Sequence, residues 1–200
     1  MKRKKGTALI LAGVMLLLAA AGFVGYNVTD SMRADKASAA AAAVLLDKIE
    51  EVAPSAVTQQ PDTEVFTEMR TVEIDGKSYV GLIEIPALDL LLPVMSDWSY
   101  ENLKNAPCRY AGSCYTNDLV ICAHNYPKHF NGLRSIDLGE DVYFITVDDQ
   151  VFHYVITNRE TLQPAESERM KTSDGWELTL FTCYIGGATR CTLRCNLVTD

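Results

Sequence analysis

Cys183 follows the apolar run Thr179-Leu180-Phe181-Thr182 and precedes Tyr184-Ile185-Gly186-Gly187, so its thiol stands where a strand gives way to a glycine-containing loop. A cysteine there is within reach of solvent, whereas a core cysteine is buried and inert. His124 ends a second apolar run, Leu119-Val120-Ile121-Cys122-Ala123, and precedes the turn-like Asn125-Tyr126-Pro127. Arg190 opens a third run, Arg190-Cys191-Thr192-Leu193-Arg194-Cys195. A nucleophile, a proton donor and a positive charge are therefore available, with an inert core position as the alternative for the thiol.

Other chemistries fit less well. His124 and His129 are five apart with Pro127 between them, a poor helical metal pair. Cys191 and Cys195 are four apart in a strand pattern and no CxxC occurs, which argues against a zinc site or a thiol redox motif. Glu140, Asp148 and Asp149 match no calcium-loop spacing. No metal and no cofactor is expected. His153, between Phe152 and Tyr154 in a strand, reads as structural. Arg190 and Arg194 share a strand face with Thr192 but stand roughly 13 Å apart along it, so one arginine at most reaches Cys183. The short return through Tyr184-Ile185-Gly186-Gly187-Ala188-Thr189 favours Arg190 and leaves Arg194 as a solvent-face charge.

The elements that must position these groups follow a membrane anchor. Residues 2–5 read Lys-Arg-Lys-Lys, and residues 7–28 are 22 uncharged positions. A spanning helix needs about 20, and basic flanks stay in the cytoplasm. A cleaved signal peptide would have a shorter apolar core, about 7–15 residues. Four of the 18 Lys+Arg precede Gly6, so 14 basic and 26 acidic residues follow Val28, a formal charge of −12. Nucleic-acid binding needs clustered basic residues and is not expected. The chain divides into a basic tail (1–6), an anchor (7–28), a stalk and linker (29–71) and an extracellular domain (72–200). Alanine-rich residues 30–51 predict a helical stalk, and residues 52–70, with Pro54 and Pro61, a linker.

Within the last part, short strands are predicted over 79–85, 88–94, 118–123, 141–147, 151–158, 177–182 and 190–198. Short helical turns are predicted over 99–105, 129–136 and 164–170. Many short strands and few helices argue for a mainly β barrel or sandwich. Cys108 and Cys114, in a loop-like stretch outside the membrane, could pair as a disulfide. Cys122, Cys191 and Cys195 read as small hydrophobes packed in strands.

Several ordered motifs resemble the sortases, membrane-anchored cysteine transpeptidases of Gram-positive bacteria. Thr179-Leu180-Phe181-Thr182-Cys183 resembles the family's TLxTC signature, residues 119–124 its strand ending in histidine, and residues 190–195 its arginine strand. Residues 83–94, 129–133 and 138–141 also fit, so the likeness covers about residues 80–198. Ala123 departs from the glycine of many relatives, and the interval from Cys183 to Arg190 is short. The layout, without a large helical insert before the cysteine, is similar to the small class A, D or E types.

The resemblance implies a closed β-barrel of about eight strands with short helices, preceded by a transmembrane helix. It implies that Cys183, His124 and Arg190 are catalytic and that the substrate is an LPxTG-like sorting signal. The signal passes through a thioacyl intermediate to an amine of peptidoglycan or a pilin lysine. Tyr184 and Thr182, beside the cysteine, are expected to bind substrate. The competing readings are an extracellular cysteine peptidase and a non-enzymatic surface binding module.

Overall fold

The computed structural model describes residues 2–56, 68–172 and 174–199. Helix α1 (Lys2–Ala56) occupies the first of these segments. Among the described residues it is the one helix long and apolar enough to cross a membrane. At about 1.5 Å per residue its 22 uncharged positions span about 33 Å, against a hydrocarbon core of about 30 Å. Leu9, Leu16, Leu17 and Phe23 stand exposed along this stretch, where the partner would be lipid.

Beyond the apolar stretch α1 stays helical through its alanines, but it does not stand free as a stalk. Ala34, Ser38, Ala41, Ala42, Leu45 and Ile49 are buried at intervals of three and four, a single stripe laid against the folded domain. The predicted linker over 52–70 falls largely on residues 57–67, outside the described residues.

Nine strands follow: β1 (Val72–Ile74), β2 (Lys77–Ile85), β3 (Leu90–Met95), β4 (Cys108–Ala111), β5 (Leu119–Ala123), β6 (Asp141–Thr146), β7 (Val151–Leu162), β8 (Leu178–Cys183) and β9 (Arg190–Leu197). They run in the order β2-β3-β4-β5-β8-β9-β7-β6, and β6 pairs back onto β2, which closes an eight-stranded barrel. Strand β1 pairs with the start of β2. Closure depends on Gly81, where a Cβ would collide with the Ile145 carbonyl oxygen. The β3–β4 and β5–β8 pairs are parallel and the remaining pairs antiparallel. Helix α2 (Tyr100–Leu103) is capped by the Ser99 hydroxyl, and α3 (Ser167–Lys171) follows a 3-10 turn.

Alternation along the strands builds two apolar layers. The inner layer fills the barrel with Ile121, Leu180, Leu193, Phe144 and Tyr154, and includes Cys191 and Cys195. The outer layer joins Val120, Cys122 and Phe181 to Leu82, Met95 and the buried stripe of α1. Helix α1 packs on β1, β2 and β3. Strands β5 and β8 are therefore buried on both faces, which explains their unbroken apolar runs.

Two expectations are corrected. Cys108 and Cys114 are both free and buried, Cys108 in the outer layer and Cys114 in the inner one, so the barrel wall separates them. Arg194 is 1% exposed and no solvent-face charge. Its Nε donates to Glu160 Oε1 at 2.7 Å, Nη1 to the Thr179 hydroxyl at 2.8 Å and Nη2 to the Arg169 carbonyl at 2.6 Å. The guanidinium carbon lies 4.5 Å from the Trp176 ring centroid. That density of partners is what makes a buried guanidinium tolerable.

Candidate active site

Because β5 and β8 are parallel, their C-terminal ends emerge at the same end of the barrel. Ala123 is in register with Thr182, and the Thr182 hydroxyl donates to the Ala123 carbonyl at 2.9 Å. Cys183 is the last residue of β8, and His124 directly follows the end of β5. Strand β9 runs the other way and begins there, with Arg190 directly opposite Cys183. Side chains alternate along a strand, so Cys183 and Arg190, paired across the β8–β9 ladder, share a face with Phe181 of the outer layer.

The turn between Cys183 and Arg190 is tight. Tyr184 N–H donates to the Thr189 carbonyl at 2.9 Å, and Gly187 N–H to the Tyr184 carbonyl at 2.8 Å. Gly186 and Gly187 have φ of 81° and 71°, a left-handed conformation that glycine accepts without strain. Arg190 Nη1 donates to the Gly187 carbonyl at 2.9 Å and the Thr189 carbonyl at 3.3 Å. The loop after the cysteine thus holds the guanidinium at the strand end.

All six cysteines lie within the described residues, and Cys183 is half-buried while the other five are buried. Burial pushes the Cys108 and Cys114 thiols up to about 12 and lifts those of Cys122 and Cys191 above the ordinary value. These thiols are poor nucleophiles, since the thiolate is the reactive form.

His124 is half-buried, its ring 4.7 Å from that of Tyr126 at an interplanar angle of 31°. Burial lowers its pKa below the ordinary histidine value; the Asp30 carboxylate opposes this and Lys104 adds to it. The Tyr126 hydroxyl donates to Asp30 Oδ2 at 2.6 Å, so helix α1 touches the histidine loop. His129 is fully buried beneath Tyr126, with ring centroids 5.5 Å apart. Neither of its ring nitrogens has a hydrogen-bond partner among the described residues, and burial pushes its pKa down to about 4.

Thr182, expected among the substrate-binding residues, is 1% exposed and on the inner face; it ties the cysteine strand to the histidine strand. Tyr184 is half-buried against the inner layer. His153 Nε2 lies 2.7 Å from Asp141 Oδ1 and stacks on Tyr143; it sits beside Val198 at the opposite end of β7 from the Leu162–Arg190 pair. Among the described residues, no group of three His, Cys, Asp or Glu could hold a metal ion. Tyr126 and Asp30 escaped the sequence reading. They are 96 residues apart, and the visible sign was only that Asp30 is the first acid after the apolar run.

Comparison with known proteins gives the family. The family profile described as "Sortase domain" matches residues 83–198. "Sortase A" of Bacillus anthracis is 26% identical over 129 residues, which is 62% of this chain and 60% of that protein's length. Among solved structures, the Clostridium perfringens Sortase D5 transpeptidase superposes with a TM-score of 0.59 at 15% identity, covering 84% of this chain and 99% of that one. Streptococcus pneumoniae Sortase C gives 0.56 at 22% identity, covering 79% and 90%. These identities speak to the fold alone. Likeness to class C structures stands beside the class A, D or E layout expected from the sequence.

Proposed function

This chain belongs to the sortase family, and from that premise we propose that Cys183, His124 and Arg190 carry out transpeptidation of an LPxTG-like sorting signal. The observation that supports the reading is the register at one end of the barrel: the half-buried Cys183 is paired with Arg190 across β8 and β9, and His124 directly follows Ala123, which pairs with Thr182 beside that cysteine.

The Cys183 thiolate attacks the carbonyl carbon of the threonine before the scissile bond, and the carbonyl electrons move onto oxygen. Arg190 donates hydrogen bonds to that oxyanion or to the neighbouring peptide backbone. The oxyanion collapses, the C–N bond breaks, and the His124 imidazolium protonates the departing amine. A thioester to Cys183 remains. An incoming amine gives its proton to the now neutral His124, attacks the thioester and releases the thiolate. The acceptor is an amine of peptidoglycan or a pilin lysine. Tyr184, next to the nucleophile, contacts the bound peptide.

Residues 2–5 remain in the cytoplasm, residues 7–28 span the membrane, and the domain over 72–200 faces outward. Anchoring raises the effective concentration of substrates held at the same surface.

The test is mass spectrometry of the full chain in detergent micelles, incubated with LPxTG-type peptides and an amine. A thioacyl adduct on Cys183 followed by an amide product supports the proposal. Hydrolysis alone, with the amine present in excess, would replace it with the peptidase reading. No adduct on a Cys183 that a small thiol reagent does label would point to a binding module.

A further inference from the structure

We propose that Asp30, carried by the membrane-anchoring helix, is a positioning residue of the site: through Tyr126 it holds the His124 ring in place. The proposal rests on the catalytic reading of His124 given above. Its basis is two linked contacts and the loop that holds them. The Tyr126 hydroxyl donates to Asp30 Oδ2 at 2.6 Å. The Tyr126 ring packs on the His124 ring with centroids 4.7 Å apart. The loop that carries both is closed by backbone bonds, Phe130 N–H to the His124 carbonyl at 3.2 Å and His129 N–H to the Tyr126 carbonyl at 3.0 Å.

Among the charges around His124, Asp30 is the one that opposes the effect of burial. Lys104, which follows α2, works against a charged ring, and so does its burial. His129, in the same loop, is buried and held neutral. Lys128 lies near Asp35 on α1. Cys183 and Arg190 stand at the ends of β8 and β9. The Asp30 carboxylate is the acidic group whose charge favours the imidazolium. It can do this only while α1 lies on the barrel, where Ala34 and Ser38, one and two turns on, are 1% exposed.

The consequence is spatial as well as electrostatic. Asp30 lies two residues past Val28, the end of the anchor segment over 7–28, so about 3 Å of helix rise separates the contact from the end of that segment. The anchor therefore does more than tether the domain; it completes the histidine's environment and fixes it close to the membrane surface.

The experiment is a titration of the full chain in lipid nanodiscs with isotope-labelled histidine, with His124→Gln assigning the resonance. In parallel, kcat/KM is measured against pH with an LPxTG-type peptide and an amine. Asp30→Asn, nearly isosteric, is expected to move the His124 titration down by about one on the pH scale, and the limb of the rate profile that reports this ring with it. Activity at neutral pH falls by about tenfold. Asp30→Glu stays near wild type. Tyr126→Phe keeps the ring contact but frees the carboxylate, and shifts the titration the same way by less. An unmoved His124 titration in folded Asp30→Asn overturns the proposal. If no variant forms an adduct on Cys183 yet the titration moves as stated, the catalytic reading fails and the Asp30–Tyr126–His124 link stands.

Discussion

Arg190 stands directly across from Cys183 at the open end of the β8–β9 ladder. Deeper in the same ladder, Arg194 faces Thr179 and donates to its hydroxyl at 2.8 Å. The two arginines share a strand face but occupy opposite environments, one at a half-buried strand end and one sealed beneath Trp176 and α3. Their removal should therefore fail in different ways.

Arg190→Ala is expected to lower acyl-enzyme formation by roughly 10²–10³-fold, the usual effect of deleting an oxyanion donor, with little change in melting temperature. Arg194→Ala leaves Glu160 without its buried partner and is expected to cost about 3–5 kcal/mol of stability. Thermal melts beside single-turnover acylation separate the two. A large melting shift in Arg190→Ala, or none in Arg194→Ala, would reverse the assignment.

Thiol reactivity provides a second check. With five cysteines buried and Cys183 half-buried, iodoacetamide at neutral pH should label one thiol per native chain, at Cys183, and six after denaturation. The count of six also tests the free state of Cys108 and Cys114, because a disulfide between them would leave four.

The strands around the nucleophile were legible because they are buried on both faces, which writes a continuous apolar run such as Leu119-Val120-Ile121-Cys122-Ala123. Strand β4 was not. Its four residues, Cys108-Arg109-Tyr110-Ala111, mix polarity, and a bulge interrupts its register with β5. The pairing of Cys183 with Arg190 followed from a short loop, which is local information. Arg194 was misread because strand alternation assigns a face and not what covers it; here α3 and Trp176 do. The Asp30–Tyr126 contact was out of reach for the same reason, since docking of α1 on the barrel is a tertiary event with no local signature.

His129 predicts an acid sensitivity. Its pKa is held down to about 4, against 6.5 for an ordinary histidine, so between those values the unfolded chain binds a proton that the native chain refuses. Stability is then full above pH 6.5 and falls as the pH drops toward 4, by about 3 kcal/mol at the limit. Burial of His124 contributes in the same direction. Urea midpoints at pH 7 and pH 5 should differ in the wild type and differ less in His129→Leu. Equal differences in both would remove His129 as the cause.

Truncation should carry a structural cost as well as a catalytic one. Leu45 is fully buried and Ile49 nearly so, and both belong to the apolar layer that covers Leu82, Met95 and Val147. Burying such side chains contributes about 1.5–3 kcal/mol each, an upper range because unfolded chains are already partly collapsed. A domain lacking residues 1–50 is expected to melt at lower temperature and to self-associate through the uncovered face, since exposed apolar patches of this kind attract partners. Leu45→Asp in the full chain should lower the melting temperature likewise, and it leaves the anchor and Asp30 in place. If the truncated domain melts with the full chain and stays monomeric, the packing of α1 contributes nothing to the fold.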